Sequence, residues 1–128
     1  TPIYDSNGTY IKSICENKQI LSMGNANTEC NKYGMIVFST KTKDEFDGLK
    51  AYITAKAGVG IDVNYIISGV FNGNIFMTFE PAEVPLYIGA VPVEPGGANC
   101  LKIRGNGTHL FTERFPCAWT LPSICELP

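Results

Sequence analysis

Residues 100–126 read CLKIRGNGTHLFTERFPCAWTLPSICE. Three cysteines, Cys100, Cys117 and Cys125, crowd this stretch. Between them Cys100 to Ile103, Leu110-Phe111 and Ser123 to Cys125 form short β-type runs, with Asn106-Gly107 as a turn signal. A hairpin-like, cysteine-dense end of this kind belongs to small domains that fold in oxidising compartments. Cys15 and Cys30 lie upstream. No two of the five cysteines form a C-x-x-C pair, and His109 is the single histidine, so a Cys/His zinc site has no spacing to support it. The alternative to disulfides is a set of buried free thiols in a cytosolic protein. Two N-x-[ST] sequons, at Asn7 and Asn106, weigh toward a secreted, extracellular glycoprotein, although each is also an Asn-Gly turn.

Working outward, residues 1 to 20 read as extended: Tyr4, Tyr10, Ile11, Ile14 and Ile20 are β-type, and Asn7-Gly8 marks a turn. The pattern predicts a short helix over 24 to 33, with Ala26, Cys30 and Tyr33 on one face and Gly34 ending it in the left-handed conformation. Met35 to Phe38 is a short apolar strand. Thr42-Lys43-Asp44-Glu45 is a capping box that opens a second helix. Its apolar face is Phe46, Leu49, Ile53 and Ala57, and Gly58 and Gly60 stop it. Tyr65 to Ile67, Ile75 to Phe79 and Leu86 to Ile88 are further short β-type runs. Pro81, Pro85, Pro92 and Pro95 leave residues 80–97 without regular pairing, which predicts a long loop. Strand, two helices, then irregular β is an α+β order.

The length of 128 residues suits one domain over 1–128, and 45% apolar residues suffice for one core. A net charge of −2 opposes a nucleic-acid footprint, which needs a clustered basic face. No apolar run is long enough to span a bilayer. The chain starts at Thr1 without a charged-then-apolar leader and reads as a mature or trimmed product.

Taken together, several pieces carry a resemblance. Cys30 sits on the first helix and is followed by Gly34-Met35. The capped second helix contains Glu45-Phe46-Asp47-Gly48-Leu49. Glu94-Pro95, Cys100, Pro116-Cys117 and Ile124-Cys125-Glu126 follow in order. Over about residues 9 to 127 this pattern resembles the C-type lectin-like domain, and its first half is most similar to secreted arthropod members. The resemblance implies a fold of two helices with small antiparallel sheets and a long irregular loop region. It also implies two intrachain disulfides, Cys30–Cys125 and Cys100–Cys117. Closure of the long and the short loop would stabilise by about 4–5 and about 3 kcal/mol in the chain-entropy model.

The departures bear on function. The family's calcium site uses a Glu-Pro-Asn triplet, a nearby Glu and a Trp-Asn-Asp triplet. Here the chain has Glu94-Pro95-Gly96, Ala98 two before Cys100, and Glu113-Arg114-Phe115 before Pro116. Calcium takes six to eight oxygen ligands, several of them carboxylates. Glu94, Asn99 and Glu113 are the survivors or stand-ins, and Arg114 puts a positive charge where the cation would sit. No resident metal or cofactor is expected. Ala90 stands where a loop Trp is usual, and the single Trp, Trp119, lies past Cys117.

Each candidate also has a plainer role. Glu94 is a calcium or sugar ligand, or a solvated carboxylate, or a partner for Arg114. Glu113-Arg114 contacts a partner, or is an exposed charge pair of little energetic weight. Cys15 has no family partner: it forms an interchain disulfide in a homo- or heterodimer, or is a buried thiol. Tyr65, Phe71, Phe76, Phe79 and Tyr87 are a sugar-stacking surface or, more commonly for such spacing, core. No nucleophile–base pair, metal set or phosphate loop marks an enzyme. The expectation is a secreted module recognising a protein or glycan partner without calcium, through residues 80 to 99 and 104 to 115. The alternatives are a calcium-dependent sugar-binding lectin, or one subunit of a disulfide-linked dimer acting in innate immunity or a secreted fluid.

Overall fold

The structure, a computed structural model, describes residues 1–5, 7–57, 62–71, 76–78, 86, 99–106 and 110–127. In chain order the elements are β1 (Pro2–Tyr4), β2 (Tyr10–Leu21), α1 (Met23–Asn31), β3 (Ile36–Val37), α2 (Lys43–Ala57), β4 (Asp62–Phe71), β5 (Phe76–Met77), β6 (Cys100–Asn106), β7 (Leu110–Phe115) and β8 (Leu121–Leu127). The strands join in one sheet of order β1-β2-β8-β4-β6-β7, with β3 also on β8 and β5 on β4. Every pairing is antiparallel except β4 with β8, which meet in parallel at Ile66 and Ser123. The last strand in sequence therefore lies inside the sheet, between strands from the two halves of the chain.

Side-chain alternation along these strands feeds two cores, one on each face. Ile14, Phe38, Leu49, Ile53, Ile67, Leu101, Ile103 and Ile124 pack beneath α2. Met23, Ala26, Cys30, Val37, Ile66, Cys100, Phe115 and Cys125 pack beneath α1. Ile66 and Ile67 are neighbours in sequence and lie in different cores, as do Ile124 and Cys125. Full burial of each large apolar side chain contributes about 1.5–3 kcal/mol.

Local sequence sets the start of α2 and the turn that ends α1. At α2 the Glu45 amide donates to Thr42 Oγ1 at 3.1 Å, and Glu45 Oε2 accepts from the Lys41 amide at 2.9 Å. The capping box is thus formed, with its carboxylate reaching one residue further back than the cap itself. Phe46, Leu49 and Ile53 are buried as the periodicity requires, and Tyr52 joins them. Gly58 and Gly60 lie outside the described residues. At α1 the Met35 amide donates to the Cys30 carbonyl and the Gly34 amide to the Asn31 carbonyl, both at 3.1 Å, with Gly34 at φ +72°. This is a Schellman turn, and it needs a residue free to adopt positive φ. It also corrects the expected helical face. α1 stops at Asn31, so Tyr33 falls in the turn and is 71% exposed, while the buried face is Met23, Ala26, Asn27 and Cys30.

The first expected β run, Tyr65 to Ile67, extends into the ten-residue β4. Its register against β6 shifts between Ile67 and Val70. Gly69 occupies this irregularity, where a Cβ would stand 2.7 Å from that of Leu101, so only glycine fits. Of the run at 86–88, Leu86 packs against the α2-side core and the rest lies outside the described residues. Cys30–Cys125 and Cys100–Cys117 are bonded, with Cα separations of 5.7 and 5.1 Å. The first ties α1 to β8 across 95 residues of sequence, and the second ties the start of β6 to the turn after β7.

Candidate functional site

Glu113 and Arg114 are adjacent on β7, so their side chains leave opposite faces of the sheet. Glu113 is buried and sits directly across the ladder from Lys102. Its carboxylate lies 3.4 Å from Lys102 Nζ and 3.1 Å from Arg104 Nη1. Arg104 in turn lies 6.0 Å over the ring of Phe111. The two neighbours therefore do not pair with each other, and Glu113 is held within a cationic pair on β6.

Arg114 serves the other face. Its guanidinium stacks over Phe71 at 4.2 Å and donates to Asn99 Oδ1 at 3.4 Å. The Phe71 amide donates to the Asn99 carbonyl at 2.8 Å, which seats Asn99 against the end of β4. Asn99, Phe71 and Arg114 thus form one exposed-to-half-buried cluster where the chain returns from residues 79–98. Phe71 and Tyr65 are partly buried against the α2-side core rather than standing free. Glu94, Phe79, Tyr87, Ala90 and His109 lie outside the described residues, as does the side chain of Phe76.

These contacts bear on calcium. Asn99 Oδ1 already accepts from a guanidinium, and Glu113 is neutralised by two cations. Neither the Asn99 amide oxygen nor the Glu113 carboxylate is left uncommitted for a hard cation. Among the described residues, no group of three or more His, Cys, Asp or Glu side chains could hold a metal ion. The described donor set does not fit the family's calcium ion.

Elsewhere the structure brings together what the sequence left separate. Asn7 is exposed in the β1–β2 connection, where Asp5 Oδ1 accepts from the amides of Asn7 and Thr9, both at 2.9 Å, and Gly8 adopts φ +81°. The sequon is therefore presented on a surface turn. Asn106 closes β6 in a strand position. Cys15 is exposed, which rules out the buried-thiol alternative. It lines a cavity of about 410 Å³ between β2 and α1, together with Glu16, Lys18, Glu29, Tyr33, Met35 and Cys125. Nothing in the spacing of these residues announced that cavity; it arises because α1 lies across β2 and β8.

On the α2 side Tyr65 donates a short hydrogen bond to Glu16, and Lys56 Nζ approaches the same carboxylate at 3.4 Å. Burial and the bond to Glu16 push the Tyr65 hydroxyl well above its ordinary value. Burial would raise Glu16, but the Tyr65 hydrogen bond and Lys56 outweigh it and hold the carboxyl below the usual carboxylate range.

No family model and no curated protein matches this chain in sequence. Solved structures do match. Human lithostathine superposes with a TM-score of 0.70 at 14% identity, over 88% of each chain. The Ca2+-independent C-type lectin SPL-2 from Saxidomus purpuratus gives 0.67 at 16% identity, over 88% of this chain and 83% of that one. Herring type II antifreeze protein gives 0.65 at 19% identity, over 90% and 89%. At such identities the likeness establishes the fold, and a shared fold carries no ligand with it.

Proposed function

We propose that this chain, which has the C-type lectin-like fold, is a secreted recognition module that binds a glycan or protein partner without calcium. The binding face is built around Asn99 and Arg114, with Glu94 and the 79–98 segment contributing. One observation carries the reading: the guanidinium of Arg114 lies against Asn99 Oδ1 while its plane covers Phe71. A planar cation braced on an aromatic ring presents fixed donors, which suit hydroxyl, carbonyl or carboxylate groups of a partner. By the family resemblance Arg114 also stands where a calcium ion would sit, which supports the calcium-independent reading. Similarity to SPL-2, a Ca2+-independent lectin, supports this reading at the level of scaffold. The exposed Asn7 sequon and the two disulfides support an extracellular setting. The reading is binding rather than catalysis, in keeping with structural neighbours that are lectin-like.

Glu113 belongs to this proposal as a brace for β6 and β7 rather than as a direct contact. A glycan array read with calcium and with chelator tests the reading. Binding that persists in chelator and falls in Arg114→Ala is the expected result. Binding abolished by chelator, or heat on titration with millimolar calcium, would return the protein to the calcium-dependent class.

A further inference from the structure

The turn between β1 and β2 commits its backbone and leaves two side chains free. Asp5 supplies most of its bonds. The Asp5 carbonyl accepts from the Gly8 amide at 3.0 Å, and the Asp5 amide donates to the Thr9 carbonyl at 2.9 Å. Asp5 Oδ1 accepts from the amides of Asn7 and Thr9, both at 2.9 Å. Gly8 takes the positive φ that the reversal requires. The amides of Asn7, Gly8 and Thr9 are thus all engaged. The Asn7 carboxamide and the Thr9 hydroxyl are exposed, and among the described residues neither has a hydrogen-bond partner. These are the two groups of an Asn-x-Thr sequon that a glycosylating enzyme reads. Two aromatic rings bracket them. Tyr4 and Tyr10 stand three residues before and three after Asn7, and they are register partners where the turn meets its strands. Their rings meet edge to face at 6.3 Å, yet the residues remain 52% and 54% exposed. β1, which leads into this turn, is one edge of the sheet and carries no charged side chain to guard it. The sequon at Asn106 has no such frame: Asn106 is a ladder residue of β6, opposite Asp62.

We infer that Asn7 is an N-glycan acceptor and that the Tyr4–Tyr10 pair is the platform on which the first N-acetylglucosamine packs, so that the sugar fastens the edge hairpin. The inference rests on the extracellular setting proposed above and not on the partner. In the transfer, Asn7 Nδ2 bonds C1 of the reducing-end sugar of a lipid-pyrophosphate-linked oligosaccharide. The C1–O bond to the pyrophosphate breaks and its electron pair leaves with the lipid pyrophosphate. The carboxamide gives up one proton, and no oxidant or reductant enters. The product is bulky, uncharged at the link and soluble. One face of a pyranose ring presents C–H bonds, which meet the negative face of an aromatic ring. Covering the two tyrosines this way removes apolar surface from water and joins the end of β1 to the start of β2 through a common contact. The same sugar screens the β1 edge from pairing with another chain. The turn is already fixed by Asp5, so little further ordering is needed to seat it.

The test uses the full chain secreted from cultured mammalian cells. Trypsin releases residues 1–12 as one peptide, because Lys12 is the first basic residue. Mass spectrometry should find an oligosaccharide on that peptide, removable by peptide-N-glycosidase. Thr9→Ala keeps Asn7 but lacks the hydroxyl, and its peptide should be bare. A bare peptide from the native chain overturns the inference. Thermal midpoints then test the platform. The glycosylated chain should melt about 2–4 °C above Thr9→Ala. The same increment is measured in Tyr4→Ala and, separately, in Tyr10→Leu, so that one variant serves if the other does not fold. Both rings are half exposed and lie outside the core, so the fold should survive either change. The expected increment there is less than half the native one. An undiminished increment in a folded tyrosine variant would equally overturn the inference. The outcome is separable from the glycan-array result, since β1 and the β7 strand of Arg114 lie at opposite edges of the sheet.

Discussion

On the α2 side of the sheet the polar centre is Lys12. Its ammonium sits 2.9 Å from Glu45 and 2.8 Å from Glu126, donates to the Ser39 carbonyl at 3.2 Å, and lies 4.7 Å over the ring of Phe38. Glu126 completes its shell with the Ser39 amide and hydroxyl at 2.7 and 3.0 Å. On the α1 side the centre is the Cys30–Cys125 bridge, surrounded by Met23, Val37, Ile66 and Phe115. Two helices are fastened to one sheet by different chemistry, one by buried charge and one by a covalent bond. Three consecutive residues of β8 supply both: Ile124 fills the α2-side core, Cys125 turns to α1, and Glu126 turns back to Lys12. The Ile-Cys-Glu ending is a junction in which each residue has a separate task set by strand alternation.

Removing either fastening separates the two faces. Replacing both Cys30 and Cys125 by alanine should cost about 4–5 kcal/mol, from loss of a long loop closure. Denaturant unfolding measures the loss. Hydrogen exchange should rise in α1 before α2; equal loosening of both helices would break the comparison. Lys12→Met should cost about 3–5 kcal/mol, because two buried carboxylates lose their shared cation. Here α2 and β8 should loosen first, and a thermal shift no larger than that of a surface variant would show that packing alone holds this face.

Smaller changes sharpen the contrast. Thr42→Ala removes the hydroxyl that caps α2 and should cost about 1 kcal/mol, without effect on exchange in α1. Glu16→Gln tests the rim of the α2 face through pH. The folded carboxyl is held below its ordinary 4.5 by Tyr65 and Lys56 despite burial. Its stabilisation is therefore present above that value and is lost as pH falls through the lower folded one. Urea midpoints of the native chain and Glu16→Gln should differ near neutral pH and converge in acid. A constant gap across the range would remove the electrostatic account.

Much of this architecture was legible. The Thr42–Glu45 box, the Gly34 stop and the β-type runs depend on contacts a few residues apart, so local spacing reports them. The cysteine frame was legible through its resemblance. What sequence missed was set by angle rather than spacing. Tyr33 fits the helical period, but the chain turned before reaching it. Glu113-Arg114 invited treatment as one exposed pair, while alternation along β7 sent the two residues to opposite faces and different partners. Lys12 looked like an ordinary strand residue until β2, β8 and α2 closed around it.

By itself the sequence determined most of the elements, the α2 capping box and the Gly34 stop, because these follow from short-range stereochemistry. Only the tertiary structure decided which residues meet across the sheet. That β8 is inserted between β2 and β4 is a long-range choice, and it places Cys15 opposite Cys125, while the β6–β7 register brings Arg114 against Asn99. Register, not residue type, puts a free thiol in line with a bridged cysteine and a guanidinium against the Asn99 amide oxygen.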